Sequence, residues 1–317
     1  VITINGTNDG IQLTNADTAI TSGSISELVD GSNNELTASL SSSGFFSLTD
    51  LDFSDSNAVS IASSSSTSTQ LTTGQDTLGT LSPYVHTPTT DGATGRVEWT
   101  YSVNDSAVDY LAENQTITES FTIKVDDGNG SSISQVVNVT ITGKNDAPSI
   151  SIDSNNQDSA SSQLDESNSS LTSSGSLSIA DPDLSSSSFS PSVLSVSSSG
   201  TTDGLTSNNQ ALLDMLQLNA GAISRAEASL DWTFNSGSED FNYLASGESL
   251  TLTYNINVAD DKNATDISSV VITINGTNDG IQLTNADTAI TSGSISDRKS
   301  TRLNSSHSSV SRMPSSA

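Results

Sequence analysis

Cysteine is absent from this chain of 317 residues, and histidine occurs only at His86 and His307. Without cysteine the chain has no disulfides, thiol nucleophiles or thiolate metal ligands. No Gly-x-Ser-x-Gly motif occurs either, and His86 has no counterpart in the second copy of the repeat described below. No residue set for an enzyme is therefore recognisable, and we expect a non-enzymatic protein.

Aromatic residues make up 4% of the chain, and no apolar stretch is long enough to span a membrane. Hydrophobic residues of all kinds reach 32%, and runs such as ASSSSTST are of low complexity. The residues available for a core are few, so we expect long Ser-rich loops around small cores. We expect no membrane insertion in this segment.

Basic residues are also scarce, at 9 Lys+Arg against 37 Asp+Glu. Four of the nine lie in residues 297–317, a segment that breaks the repeat and resembles the translation of a common short-read sequencing adapter. We interpret 297–317 as a non-native tail. Residues 1–296 then carry 36 acidic and 5 basic residues, a net charge of −31. So acidic a body repels nucleic acid and anionic lipid, and it repels itself unless cations bind among its carboxylates.

The chain repeats itself. The segment VITINGTNDGIQLTNADTAITSGSIS occurs at 1–26 and again, unchanged, at 271–296, and a diverged copy of its start lies at 136–150. The second half of each unit aligns at a shift of 133 residues, which matches Trp99 with Trp232, and the first half aligns at a shift of 131, which matches Glu35 with Glu166. Such a long period predicts tandem modules.

Five segments follow from this period. We assign 1–9 to the last strand of a preceding repeat, 10–146 to repeat 1, 147–279 to repeat 2, 280–296 to the start of a further repeat, and 297–317 to the tail. The chain does not begin with methionine, and we expect it to be a piece of a longer protein.

Each unit has the sequence pattern of β-strands. In RVEWTYSV (96–103) apolar and polar residues alternate, as they do in SFTIKVDD (120–127) and QVVNVTITG (135–143), and the second unit keeps the pattern. We predict an all-β fold of tandem antiparallel Ig- or cadherin-like β-sandwiches joined end to end. The exception is QALLDMLQL at 210–218, whose apolar spacing predicts a short helix. Trp99 and Trp232 are expected in the cores.

Acidic and amide residues recur once per unit in three sets. An Asp-x-Asp motif follows a strand, an Asn-Asp pair follows the last strand of a unit, and a lone Glu lies near the start. Groups of oxygen ligands are what Ca²⁺ requires, at six to eight per ion. We therefore predict Ca²⁺ as cofactor, bound by these residues: Asp50, Asp52, Asp181, Asp183, Asn8, Asp9, Asn145, Asp146, Asn278, Asp279, Glu35 and Glu166.

These residues resemble a known family. FTIKVDDGNGSSISQVVNVTITGKNDAP (121–148) looks like the end of a VCBS repeat, a bacterial cadherin-like module of large RTX-type surface adhesins. SLTDLDFSD and SIADPDLSS look like the cadherin Asp-x-Asp, and GKNDAP like a reduced cadherin linker. The resemblance covers essentially 1–296. It implies a fold of cadherin-like sandwiches with Ca²⁺ at their junctions.

The resemblance also implies a ligand set for each junction. One junction would use Asn145, Asp146, Asp181, Asp183 and Glu35, and the junction before it Asn8, Asp9, Asp50 and Asp52. Where the cadherin linker begins with Asp and ends with Asn, this chain has Gly143 and Ala147. With two ligands missing, one or two ions per junction are expected rather than three.

A simpler interpretation stays open for the same residues. Asn-Asp before Gly or Pro is an ordinary turn, and Asp126-Asp127 suits a hairpin turn. The function is accordingly open among three hypotheses. The first is a structural stalk of a secreted, Ca²⁺-rigidified bacterial adhesin at the cell surface, acting in adhesion or biofilm formation. The others are a module that binds glycans or sister adhesins through the variable loops 54–95 and 185–224, and spacer repeats of an extracellular enzyme. The expected partners are neighbouring repeats of the same chain.

Overall fold

The structure, a computed structural model, describes residues 1–14, 19–29, 31–52, 55–90, 93–185, 188–219, 223–224 and 229–280. They form two β-sandwiches in tandem, which confirms the predicted all-β fold. The described part of the chain contains no helix with the length and hydropathy of a membrane span.

The first sandwich follows the strand order of an immunoglobulin-type domain. One sheet has the order β1-β3-β6-β5 and the other β2-β8-β7-β4, so β1 and β2 divide the first strand between the two sheets. All pairings are antiparallel except β2 with β8, which is parallel. The strands are β1 (Gln12–Thr14), β2 (Ser22–Ser26), β3 (Ser39–Thr49), β4 (Ala58–Ser66), β5 (Thr80–Thr87), β6 (Gly95–Asn104), β7 (Thr116–Asp126) and β8 (Ser132–Thr142).

The second sandwich repeats this order. Its sheets are β13-β15-β11-β9 and β10-β17-β16-β12-β14, and β10 is again parallel to the last strand, β17. Its elements are β9 (Ser149–Ser151), β10 (Ser161–Asp165), β11 (Thr172–Ala180), β12 (Ser188–Gly200), α1 (Asn209–Asp214), β13 (Leu216–Leu218), β14 (Ile223–Ser224), β15 (Ser229–Asn235), β16 (Ser249–Ala259) and β17 (Thr265–Asn275).

A buried tryptophan occupies the same place in both cores. Trp99 and Trp232 have no exposed surface, as predicted, and their indole N–H groups donate to the carbonyls of Ile20 (2.9 Å) and Ser159 (2.8 Å). Each ring lies against a glycine on the neighbouring strand. A Cβ on Gly44 would lie 2.4 Å from the Trp99 ring, and one on Gly175 would lie 2.6 Å from the Trp232 ring. The recurring glycines thus make room for the recurring tryptophans.

The helix predicted over 210–218 is shorter than expected. Helix α1 ends at Asp214, and residues Leu216–Leu218 instead form β13, which pairs with β15. The N-cap is Asn208, whose side chain accepts the Ala211 N–H at 2.9 Å. Apolar spacing alone did not separate the helical turn from the short edge strand that follows it.

The ends of the chain add little to the sandwiches. Residues 1–10 are exposed and lie in no strand, and their assignment to a preceding repeat stays a prediction. From residue 281 on, the segments predicted as a further repeat (280–296) and as a tail (297–317) lie outside the described residues.

Candidate metal centre

The linker 143–148 joins β8 of the first sandwich to β9 of the second. Its first residue, Gly143, packs tightly against repeat 1, because a Cβ there would lie 2.1 Å from the Leu111 carbonyl oxygen. Gly276 has the same relation to the Ala245 carbonyl, at 2.2 Å. The position where the cadherin linker begins with Asp therefore has no space for a side chain in either repeat.

The linker residues Asn145 and Asp146 contact two turns of repeat 2. The Asp146 N–H donates to Asp183 Oδ2 at 3.0 Å, and the Asn145 amide donates to Asp260 Oδ2 at 2.7 Å. The Asp183 N–H donates to Asp181 Oδ1 at 2.8 Å. Asp146, Asp181 and Asp183 are all buried. The structure thus brings together four of the residues that the sequence predicted for this junction.

The glutamate that contacts the linker here is Glu27, which was not among the predicted residues. Glu27 directly follows β2, its N–H donates to the Thr142 carbonyl (3.0 Å), and its Oε2 accepts the Lys144 N–H (2.7 Å). Carboxylate oxygens of Glu27, Asp109 and Asp146 lie within 4.8 Å of one another. This group spans the first sandwich and the linker.

Glu166 occupies the position of Glu27 in repeat 2. Its N–H donates to the Asn275 carbonyl (2.9 Å), and its Oε1 accepts the Thr277 N–H (3.0 Å). In the strand register, Glu166 therefore corresponds to Glu27 rather than to Glu35, and the roles of Glu35 and Glu166 as ligands stay predictions. Glu35 lies instead with Asp105 and Asp109, whose carboxylate oxygens are within 4.8 Å of its own. The loops before β3 and β11 differ in length, so a constant shift paired Glu166 with Glu35 instead of Glu27.

The same contacts recur at the start of repeat 1. The Asp9 N–H donates to Asp52 Oδ2 at 2.5 Å, and the Asn8 amide donates to Asp127 Oδ2 at 3.2 Å. The Asp52 N–H donates to Asp50 Oδ1 at 3.1 Å. Asp50 and Asp52 also group with an additional acid, Asp55, within 4.8 Å. The residues predicted for the junction before repeat 1 therefore have the same local arrangement as those at the central junction.

Asp127 was predicted as a hairpin-turn residue, and both it and its counterpart in repeat 2, Asp260, hold their turns. Asp127 Oδ1 accepts the N–H groups of Asn129 and Ser131 at 2.8 and 2.9 Å, and Asp260 Oδ1 does the same for Lys262 and Ala264. The Oδ2 atom of each accepts a hydrogen bond from the preceding linker's asparagine, Asn8 or Asn145. Burial opposes ionisation of Asp127, but these N–H donors and the Asn8 amide lower its pKa. Both residues belong to the candidate centres. The sequence signal for them was that, of the pair Asp126-Asp127, only the second Asp recurs in repeat 2, as Asp260.

Buried carboxylate and amide oxygens without a hydrogen-bond donor mark both centres. Among the described residues, Glu27 Oε1, Asp50 Oδ2, Asp55 Oδ2 and Asn145 Oδ1 are buried and accept no hydrogen bond. Burial raises the pKa of Glu27 to about 9, and the nearby carboxylates of Asp146, Asp109 and Asp105 add to the rise. Burial likewise raises the pKa of Asp55. A buried acceptor without a partner is costly, and a bound cation would remove that cost.

The donor set fits Ca²⁺. It consists of carboxylate and amide oxygens without nitrogen or sulfur ligands, which suits a hard cation. Glu27, Asp109, Asn145, Asp146, Asp181 and Asp183 are the residues available at the central junction. Asn278 and Asp279 are exposed in their own unit, 278–317, and their predicted role is untested.

No protein-family model and no curated protein matches the chain. Solved structures similar to it include human CDH23 EC21-23 (11% identity, 84% of this chain, 69% of that chain, TM-score 0.37). Another is protocadherin gamma B7 extracellular cadherin domains 1–4, with 13% identity over 83% of this chain and 50% of that chain, and a TM-score of 0.34. The Yersinia pseudotuberculosis adhesin InvE has 14% identity over 83% of this chain and 58% of that chain, and a TM-score of 0.22. The chain thus spans half of the protocadherin structure. The strand order itself, and not this likeness, defines the fold.

Proposed function

We propose that the chain is a segment of the stalk of an extracellular bacterial adhesin, in which Ca²⁺ bound at the junctions holds successive sandwiches in line. The observation that carries the proposal is the continuous set of acidic side chains across the central junction. Glu27 and Asp109 come from repeat 1, Asp146 from the linker, and Asp183 contacts Asp146 from repeat 2.

The proposed role of the ion is mechanical, because it stiffens the linker between the two sandwiches. The linker has only six residues, 143–148, and its backbone N–H groups already donate to carboxylates of both sandwiches. Bound Ca²⁺ would neutralise the clustered carboxylates and tie groups of both repeats to one ion, which removes hinge freedom. Without the ion, repulsion between the same carboxylates opposes the closed junction.

The free energy of Ca²⁺ binding is sufficient to hold the junction closed. Extracellular modules bind Ca²⁺ with a Kd of about 10⁻⁴–10⁻³ M. At a free concentration of about 100 times Kd, an ion that binds only the closed form stabilises it by roughly 2.7 kcal/mol. A preference of that size shifts a flexible junction to a predominantly closed one.

Small-angle X-ray scattering of residues 1–296 tests the proposal. In Ca²⁺ the fragment should have a larger maximum dimension than in EDTA, and Asp181→Asn plus Asp183→Asn should abolish the difference. The matched control is Asp203→Asn plus Asp214→Asn, two exposed acids of the same repeat, which should keep the response. Identical scattering of the unaltered chain in Ca²⁺ and EDTA would contradict the proposal.

A further inference from the structure

The outer face of one sheet in repeat 1 presents an exposed aromatic side chain. Of the Phe, Tyr and Trp residues in the described part of the chain, only Tyr84 of β5 is exposed, at 47%. In the strand register, Tyr84 and Phe45 of β3 both pair with Glu98 of β6, one from each side. Residues paired directly across antiparallel strands lie on the same face of a sheet. The two rings therefore flank Glu98 on the face that points away from the core.

Glu98 holds three side chains around it. Its Oε2 accepts a hydrogen bond from the Tyr84 hydroxyl, and its Oε1 lies 2.9 Å from Arg96 Nη2. The same Oε1 lies 3.6 Å from His86 Nδ1. The register of β5 with β6 shifts by one residue at His86, and such a β-bulge changes the direction of a side chain. Glu98 thus collects polar groups from two strands on one surface.

The positions of these side chains are fixed by contacts among themselves. The Arg96 guanidinium carbon lies 3.8 Å from the centre of the Phe45 ring, and the side chain stays 41% exposed, so part of its donor fork faces solvent. The rings of Tyr84 and His86 meet edge to face, with their centres 6.4 Å apart. These five residues, with Glu98, form the Glu98 cluster. A ligand that binds there loses little side-chain entropy, because the cluster is already ordered.

Repeat 2 keeps the sheet but not the cluster. The pair that corresponds to Phe45 and Glu98 is Ser176 and Asp231, and a serine, 133 residues on, stands in place of the arginine. The fold therefore does not require aromatic and basic side chains on this face. Tyrosine and arginine are the residue types that binding surfaces favour, so the cluster has the composition of a recognition site.

We propose that the outer face of repeat 1 binds a neutral saccharide, through the Tyr84 ring and the side chains that Glu98 holds beside it. The C–H groups of a sugar ring pack on an exposed aromatic face, and its hydroxyl groups pair with a guanidinium, an imidazole or a carboxylate. The proposal goes beyond the stalk function and does not depend on Ca²⁺ at the junctions.

Charge favours a neutral occupant over an anionic one. Residues 1–296 carry a net charge of −31, which repels acidic polysaccharides, nucleic acid and a second copy of the chain alike. Within the cluster Glu98 offsets the positive charge of Arg96, so little positive charge is left to overcome that repulsion. An uncharged sugar is not repelled, and it finds donors, acceptors and an apolar surface together.

Affinity electrophoresis of the full chain in native gels tests the proposal. The probes are the neutral polysaccharides dextran, galactomannan, laminarin and xylan, with alginate as the anionic comparison. At least one neutral polysaccharide should retard the unaltered chain, with the same dissociation constant in Ca²⁺ and in EDTA. Tyr84→Ala, and Arg96→Ser, which introduces the residue of repeat 2, should each weaken binding by about tenfold or more.

The matched control is Leu194→Ala, which removes an exposed apolar side chain of repeat 2 and should leave the dissociation constant unchanged. Circular dichroism should give the β-sheet spectrum of the unaltered chain for all three variants. A weaker dissociation constant in the folded Tyr84→Ala variant then reports the loss of the ring and not the loss of the sandwich.

The outcomes separate this site from other occupants and from the stalk function. Retardation by none of the neutral polysaccharides, or equal retardation of the unaltered chain and Tyr84→Ala, would overturn the proposal. Retardation by alginate alone would also overturn it, and so would self-association that Tyr84→Ala abolishes in a chain that binds no polysaccharide. Saccharide binding through Tyr84 in a chain whose scattering is identical in Ca²⁺ and EDTA would support this site and contradict the stalk function alone.

Discussion

At the scale of single residues, we expect Glu27 to make the stability of the junction depend on pH. Its pKa rises from 4.5 to about 9 through burial and the adjacent carboxylates. Without metal, the folded chain therefore keeps a proton that the unfolded chain has released, so stability falls as the pH rises between these values. In EDTA, the melting temperature should decrease from about pH 5 to about pH 9, and Glu27→Gln should reduce that decrease. A pH profile unchanged by Glu27→Gln would contradict the assignment.

A second buried glutamate distinguishes the two cores. Glu119 of β7 is fully buried and accepts three hydrogen bonds, from the Leu78 N–H (2.6 Å), the Gly79 N–H (3.1 Å) and the Tyr101 hydroxyl (2.7 Å). Burial and this last bond raise the pKa of Tyr101. At the shift of 133, repeat 2 has Leu252 and Phe234 instead. The glutamate thus ties the 67–79 loop to the core of repeat 1 only.

Replacing this glutamate should destabilise repeat 1 although the substitute is apolar. Glu119→Leu leaves two N–H groups and one hydroxyl without an acceptor and should lower the free energy of unfolding by about 2–4 kcal/mol. Adding Tyr101→Phe should recover about 1 kcal/mol, because the stranded hydroxyl is removed. Urea unfolding measures both, with exposed Glu113→Leu as the control. A fully stable Glu119→Leu protein would contradict this account.

At the scale of elements, strand pairing positions the centres more than sequence spacing does. The alternation of apolar residues predicted the strands and the core tryptophans correctly, because each inward residue is fixed by the period of two. It could not identify Glu27, whose place depends on the parallel register of β2 with β8, where Ser26 pairs with Thr142. Loop length is free to vary, so a constant shift matched Glu166 with Glu35 instead of Glu27, and Asp127 was interpreted as a turn residue only.

The linker between the two sandwiches depends on a glycine at its start. Gly143→Ala should displace the linker, because the new Cβ would lie 2.1 Å from the Leu111 carbonyl oxygen. We expect Ca²⁺ affinity at the junction to fall about tenfold, which corresponds to about 1.4 kcal/mol. Isothermal titration calorimetry measures the affinity. Gly6→Ala is the control, since its Cβ would have no atom within 4 Å, and equal affinities in both variants would contradict the proposed packing.

At the scale of the whole molecule, the proposed function relates the acidic charge to the repetition. A body of 296 residues with a net charge of −31 concentrates part of its acid at the ends of its sandwiches. Buried acids at those ends are unfavourable in a single module, and under the proposed function they become favourable in a series of modules joined through Ca²⁺.

Spin-label distances across the junction test this claim most directly. Thr100 and Thr233 are exposed at equivalent positions of β6 and β15, and the natural chain has no cysteine to interfere with labels at Thr100→Cys and Thr233→Cys. Pulsed electron paramagnetic resonance should give one narrow distance distribution in Ca²⁺ and a broad one in EDTA. Asp181→Asn plus Asp183→Asn should give the broad distribution in both. A distribution equally narrow, or equally broad, with and without Ca²⁺ would contradict the central claim that calcium aligns the repeats.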